Sequence, residues 1–240
     1  MTTMTLQGKR VFVTGAASGI GAATVELFRA QGAEVVGVDI TEVEGLLACD
    51  VSDPESVQCA IDQAVAQLGG LDIVANVAGV GGMTPLAEMP LAHWEKVMGV
   101  NVTGPMLVTK AALPHLAASK GNVVSVASIS GIQGQPYMSA YCASKAALLH
   151  FMKSIAVELA PQHVRVNCVC PGGVGQLPEV ADAEQIVPAG VDPALFTRLN
   201  PVLPGVIEPA DIADALAYLA SDAARSITGA ALLVDRGTLW

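Results

Sequence analysis

Short runs of apolar and β-branched residues alternate along the chain with longer segments in which apolar positions recur every three or four residues. Residues 10–14, 34–39, 71–75, 122–126, 165–169 and 231–234 read as strands, and 19–31, 54–68, 97–118, 139–160 and 209–221 as helices. The strands are apolar throughout rather than alternating. That pattern predicts an α/β protein with a parallel sheet covered by helices on both faces. No repeat, linker or shift in composition marks a boundary, so residues 1–240 are expected to form a single domain. Residues 173–205, rich in proline and mixed in polarity, fit neither period and are expected to form a substrate-binding loop or lid.

Composition narrows the function classes. With 22 acidic against 12 basic residues the net charge is −10, and a surface of that sign repels phosphates. Nucleic acid and membrane surfaces are therefore not expected partners. The first ten residues have no apolar core that would serve as a signal peptide, and the uncharged stretch 121–144 is broken by amides, serines and Pro136. A cytoplasmic protein is expected. The five cysteines contain no C-x-x-C pair, and Cys168 and Cys170, two apart on a strand, would share one face as buried thiols. No metal site is expected.

Three features carry chemistry. The first strand runs into Thr14-Gly15-Ala16-Ala17-Ser18-Gly19-Ile20-Gly21 and then a helix. Glycines at those positions permit a tight turn, a close approach of backbone to a pyrophosphate and close packing of helix on sheet, although a purely structural turn uses them too. Asp39 closes the second strand 18 residues after Gly21, near the spacing at which an acidic group binds an adenosine ribose. A carboxylate there opposes a 2′-phosphate, so NAD is favoured over NADP. Tyr141 and Lys145, four apart, share one face of a helix. An ammonium ~5 Å from a phenol, at an effective dielectric of ~20, favours the phenolate by ~3 kcal/mol and suits it to acid/base work. Alone, such a pair is equally an exposed helix pair.

Together with Asp50-Val51, Asn76-Val77-Ala78-Gly79, Asn101, Ser128 and Pro171-Gly172, these motifs resemble the short-chain dehydrogenases/reductases over nearly the whole chain. The resemblance implies a Rossmann-like doubly wound sheet and an NAD-dependent alcohol dehydrogenase or carbonyl reductase. It implies a catalytic set of Asn101, Ser128, Tyr141 and Lys145. Tyr141 would exchange the substrate proton and Ser128 would hold the reacting oxygen. Lys145 would bind the nicotinamide ribose, and Asn101 would hold a relay water. The cofactor set it implies is Gly15, Ser18, Gly19, Ile20, Gly21, Asp39, Asp50, Val51, Asn76, Ala78, Gly79, Tyr141, Lys145, Pro171, Gly172 and Val174. It also implies a homotetramer, with a dimer as the alternative.

The sequence departs from that pattern in places. Val77 replaces a common Asn, Gln176 stands where a nicotinamide-binding Thr is usual, and Arg236 stands where Gly is common. Only 11 residues separate Asp39 from Asp50, so a helix found there in many relatives is expected to be absent. The four histidines are read as solvated or capping residues, Cys142 as a buried thiol, and Trp94 and Trp240 as packing residues. Leu177, Val180, Ile186, Val187, Phe196 and Leu199 suggest an apolar pocket for a small-molecule secondary or cyclic alcohol and its ketone. The alternative is a regulator that binds a dinucleotide without turning it over.

Overall fold

Alternate residues of each strand feed two separate apolar layers in a computed structural model that describes residues 5–175 and 192–239. On β1 (Arg10–Thr14), Phe12 joins one layer while Val11 and Val13 join the other. The same division splits Val74 from Ile73 and Ala75 on β4 (Ile73–Asn76), and Val123 from Val124 on β5 (Asn122–Val126). Because both faces are buried, the strands carry no polar alternation.

With β2 (Glu34–Asp39), β3 (Leu47–Ala48), β6 (Arg165–Pro171) and β7 (Ala231–Val234), the strands form one seven-stranded sheet in the order β3-β2-β1-β4-β5-β6-β7. Every pairing is parallel. Helices α1 (Gly19–Ala30) and α6 (Pro209–Ala220) cover one face, where Val25, Phe28, Ile212 and Leu216 meet. Helices α2 (Pro54–Leu68), α4 (Gly104–Ser119) and α5 (Ser139–Leu159) cover the other, with Ile61, Leu116 and Leu148 in its core. Local chemistry sets the ends of these helices. The Asp53 carboxylate accepts the Glu55 N–H at 3.0 Å ahead of Pro54, and α2 stops at Gly69 with φ +74°.

Most predicted elements stand within two residues of their expected ends, and residues 40–46 carry no helix. The exception is the helix expected over 97–118. It is instead α3 (Leu91–Met98), a π turn (Gly99–Thr103) and α4. Pro105 falls in the first turn of α4, where its missing N–H is tolerated, and just ahead of it the Gly104 N–H bonds back to the Gly99 carbonyl in a wider turn. The two-residue β3 was too short to read from the pattern. Of the predicted loop 173–205, residues 176–191 lie outside the described residues, and with them Gln176, Leu177, Val180, Ile186 and Val187. Among the described residues no helix is long and apolar enough to cross a membrane.

Candidate active site

The strand order reverses between β1 and β4, because the chain builds outward from β1 to β3 and then returns to β1's other side. A crevice at the carboxyl ends of the strands follows from that reversal. The Thr14 hydroxyl at the end of β1 accepts the N–H groups of Val77 and Ala78 at 3.0 and 3.1 Å and so ties the two strand ends together. The turn after Thr14 must be bare. A Cβ on Gly15, whose φ is +69°, would stand 2.8 Å from Ala78 Cα, and one on Gly21 would collide with the Gly15 carbonyl. The backbone is thus pressed between strand and helix, and the first turn of α1 opens toward the crevice. Ser18, the N-cap residue, makes no side-chain cap there, so the helix's leading N–H groups retain their capacity for an anion.

Asp39 closes β2 beside this turn. One carboxylate oxygen accepts the Ala17 N–H at 3.0 Å and the other the Thr41 N–H at 2.9 Å, which fixes the group and leaves a lone pair on each oxygen. Asp50 accepts the Ser52 N–H and hydroxyl at 2.9 and 2.6 Å and turns the chain so that Val51 borders the same crevice.

At the other end, Lys145 is 3% exposed, and its ammonium donates to the Val126 carbonyl at 2.8 Å and stands 5.6 Å from the centre of the Tyr141 ring. Asn101, on the π turn, is fully buried. It accepts the Val80 N–H at 2.9 Å and donates to the Val80 carbonyl at 2.8 Å and the Ser144 hydroxyl at 2.9 Å. Gly79 lies between these groups: a Cβ there would stand 3.3 Å from Asn101 Oδ1 and 3.4 Å from Lys145 Nζ. Ser128 follows β5. Its hydroxyl donates to the Ser130 hydroxyl at 3.0 Å and accepts the Ser130 N–H at 3.1 Å. A cleft of about 410 Å³ runs past Gly15, Asp39, Asp50 and Gly79 to Tyr141 and Lys145.

A family model described as enoyl-(acyl carrier protein) reductase matches residues 15–238. The cis-4-hydroxycyclohexanecarboxylate dehydrogenase of Sinomonas cyclohexanicum is 39% identical over 241 residues, covering 94% of each chain. The momilactone A synthase of Oryza sativa is 38% identical over 97% of this chain and 90% of its own. A solved short-chain dehydrogenase/reductase from Mycobacterium marinum superposes with a TM-score of 0.87 at 31% identity, over 98% of this chain and 97% of its own.

The chain belongs to the short-chain dehydrogenase/reductase family. It is an oxidoreductase of the alcohol and ketone type, and dehydrogenases of this family bind a nicotinamide dinucleotide. The residues present fit such a group: a glycine turn with no room for side chains, an uncapped helix start and a fixed carboxylate line one continuous cleft.

Not every residue expected at a short-chain dehydrogenase/reductase site lines that cleft. Gly15, Ser18, Gly19, Ile20, Gly21, Asp39, Asp50, Val51, Ala78, Gly79, Tyr141 and Lys145 do. Asn76 lies beneath it, buried, its amide reaching the Thr109 and Ser125 hydroxyls at 3.3 Å. Pro171 and Gly172 end β6 against Val234, and the Val174 side chain packs into the core beside Ile207, so only the backbone of Val174 remains for a ligand. Ile40, Val80, Lys96 and Val100 line the cleft without having been singled out. Lys96 stands on α3, a helix that the apolar pattern did not announce.

Beneath the site lie buried thiols whose surroundings disfavour the thiolate. Burial pushes Cys168 up to about 12 and raises Cys170, against which the Ser128 backbone N–H pulls downward. Cys168 and Cys170 share one face of β6, as their spacing required. Cys142 is half-buried rather than buried, with the Gln135 N–H on its sulfur at 3.4 Å, and Trp94 is 38% exposed on α3 rather than packed.

Proposed function

We propose that the chain is an NAD-dependent dehydrogenase/reductase that interconverts a secondary alcohol, apolar or cyclic, and its ketone, with Tyr141 as general acid/base. One observation carries this reading: a buried ammonium, anchored on the Val126 carbonyl, faces the Tyr141 ring at the end of a cleft whose other end holds Asp39. When bound, the nicotinamide supplies or accepts the hydride. Tyr141 takes the hydroxyl proton in oxidation and returns it in reduction, while Ser128 holds the same oxygen. Lys145 favours the phenolate and binds the nicotinamide ribose.

The Asn101 amide is committed to Val80 and Ser144, so a relay water would sit on the Asn101 main-chain carbonyl, to which Pro105 has no N–H to offer. The Asp39 carboxylate suits two ribose hydroxyls and opposes a 2′-phosphate. A relative named for a hydroxycyclohexanecarboxylate supports a cyclic substrate.

We further infer one catalytic domain, with 173–205 as its substrate loop, assembling as a homotetramer through apolar surface such as Val157 on α5 and Leu233 on β7, both exposed in the single chain. The test is a panel of cyclic, terpenoid and steroid secondary alcohols with NAD, read by absorbance of the reduced nicotinamide. Turnover of at least one cyclic alcohol is expected, and inactivity across the panel with both NAD and NADP would contradict the reading.

A further inference from the structure

Among the described residues, four other than glycine take a left-handed backbone: Lys120, Tyr137, His163 and Arg236, with φ between +52° and +60°. Side chains rarely occupy that region, and bulky ones least of all. Lys120 and His163 have a local reason, since each caps the end of a helix. Tyr137 and Arg236 end no helix. Each instead sends its side chain to the same segment, the chain between Asp192 and Val206 that returns from the predicted substrate loop.

Tyr137 lies in the turn ahead of α5, four residues before Tyr141. Its hydroxyl accepts the Asp192 N–H at 3.2 Å, and its ring stacks on Phe196 with centroids 6.2 Å apart and planes 23° from parallel. The Tyr137 carbonyl accepts the Thr84 N–H at 2.7 Å. Thr84 belongs to the loop after β4 in which Gly81 faces the Tyr141 ring, where a Cβ would lie 3.5 Å from Cδ2. Tyr137 therefore joins the loop beside the reacting phenol to the 192–199 turn.

Arg236, in the turn after β7, holds the other end. Its guanidinium donates to the Pro204 and Val206 carbonyls at 2.6 and 3.1 Å, and its own carbonyl accepts the Leu203 N–H at 3.0 Å. It passes so close to Gly205, φ +106°, that a Cβ there would stand 3.1 Å from Nη1. A glycine at 237 with φ +75° completes a turn that glycine at 236 would form at less cost, so what Arg adds at 236 is the reach of its side chain.

We propose that Tyr137 and Arg236 are positioning residues that tether the 192–206 segment at its two ends and so hold Phe196 as the wall limiting substrate size. The size limit rests on the reaction proposed above, and the tethers do not. Neither residue touches the reacting atoms. Each fixes this segment with its side chain from a left-handed backbone; the base of the excursion is held separately by the Val174–Ile207 bridge and the Gly175 N–H on the Ile207 carbonyl.

The test compares full-length Tyr137→Asn and Arg236→Gly, substitutions whose residues tolerate the left-handed backbone, with the conservative Tyr137→Phe. Hydrogen exchange across 192–206 should rise by ~10-fold or more in the first two, whereas Tyr137→Phe should loosen only the Asp192 amide. For cyclohexanol against a steroid secondary alcohol, the ratio of kcat/KM should shift by ~10-fold toward the larger substrate in Tyr137→Asn, through KM rather than kcat, and Tyr137→Phe should retain wild-type selectivity. Unchanged exchange in both loosened variants overturns the tethers. Raised exchange with unchanged size selectivity overturns the wall. Wild-type inactivity toward every alcohol overturns the proposed reaction and the size selectivity with it, while exchange still decides the tethers.

Discussion

Asn101 grips both polar groups of Val80, accepting its N–H at 2.9 Å and donating to its carbonyl at 2.8 Å. A single buried side chain thus locks the loop after β4 to the π turn between α3 and α4. Both of these elements converge on Tyr141 and Lys145.

Asn101→Ala leaves the two half-buried Val80 groups and the buried Ser144 hydroxyl without this partner, so a stability loss of about 1–3 kcal/mol is expected. Turnover should fall more than NADH affinity, since the cleft's Asp39 end is untouched. Thermal unfolding and steady-state kinetics check this; an unchanged Tm together with turnover within twofold of wild type would contradict it.

Much of the site was legible because backbone geometry dictates it. Gly15 and Gly21 had to be bare for strand, turn and helix to approach, and Asp39 had to close β2 at a fixed distance along the chain. What escaped depended on spatial neighbours. The apolar run from Val97 gave no sign of a π turn, although Pro105, a residue that suits the first turn of a helix, marked where α4 begins. Lys96 reached the cleft only because α3 starts at Leu91. Val174, expected as a cofactor contact, buries its side chain in the core, which the pattern did not announce, and leaves its backbone for that contact.

Cofactor choice follows from Asp39. A carboxylate ~4 Å from a 2′-phosphate at an effective dielectric of ~20 costs ~4 kcal/mol per charge pair, before screening. NAD(H) should therefore exceed NADP(H) in kcat/KM by at least ~100-fold, equivalent to ~2.7 kcal/mol, and Asp39→Ser should narrow the gap. Equal efficiencies in the wild type would contradict the assignment.

Acid stability should depend on Asp72. The Arg10 guanidinium donates to both its oxygens at 2.8 and 2.9 Å, and the Arg10 backbone N–H adds a third bond at 2.8 Å. Burial alone raises this carboxyl, but the Arg10 bonds outweigh it and hold it below its ordinary value. A depressed carboxyl contributes stability that is fully present above its unfolded value of about 4 and is lost as pH falls through the folded value. Asp72→Asn should cost about 1–3 kcal/mol at pH 7 and flatten the dependence of stability on pH below about 4. Urea unfolding at neutral and acid pH reads both effects, and parallel pH profiles for variant and wild type would count against them.

Thiol reactivity should separate the cysteines by burial. Cys49, Cys168 and Cys170 are buried and raised by desolvation, Cys168 to about 12, while Cys59 is exposed on α2. A disulfide reagent at pH 8 should modify Cys59 rapidly and leave the three buried thiols until unfolding, because only thiolates react. Rapid labelling that persists in Cys59→Ser at any buried position would contradict that order.

The central claim is that Tyr141 exchanges the substrate proton while the cofactor is held elsewhere in the cleft, and Tyr141→Phe separates the two. General acid/base contributions run to ~10²–10⁴-fold, so turnover of the best alcohol should fall by at least ~10²-fold. NADH affinity, measured by fluorescence titration of the same preparation, should stay within about threefold because Asp39, the glycine turn and Lys145 remain, whereas Lys145→Ala should weaken both. Turnover in Tyr141→Phe within tenfold of wild type would mean that the proton comes from another group, and the account of the site would be wrong.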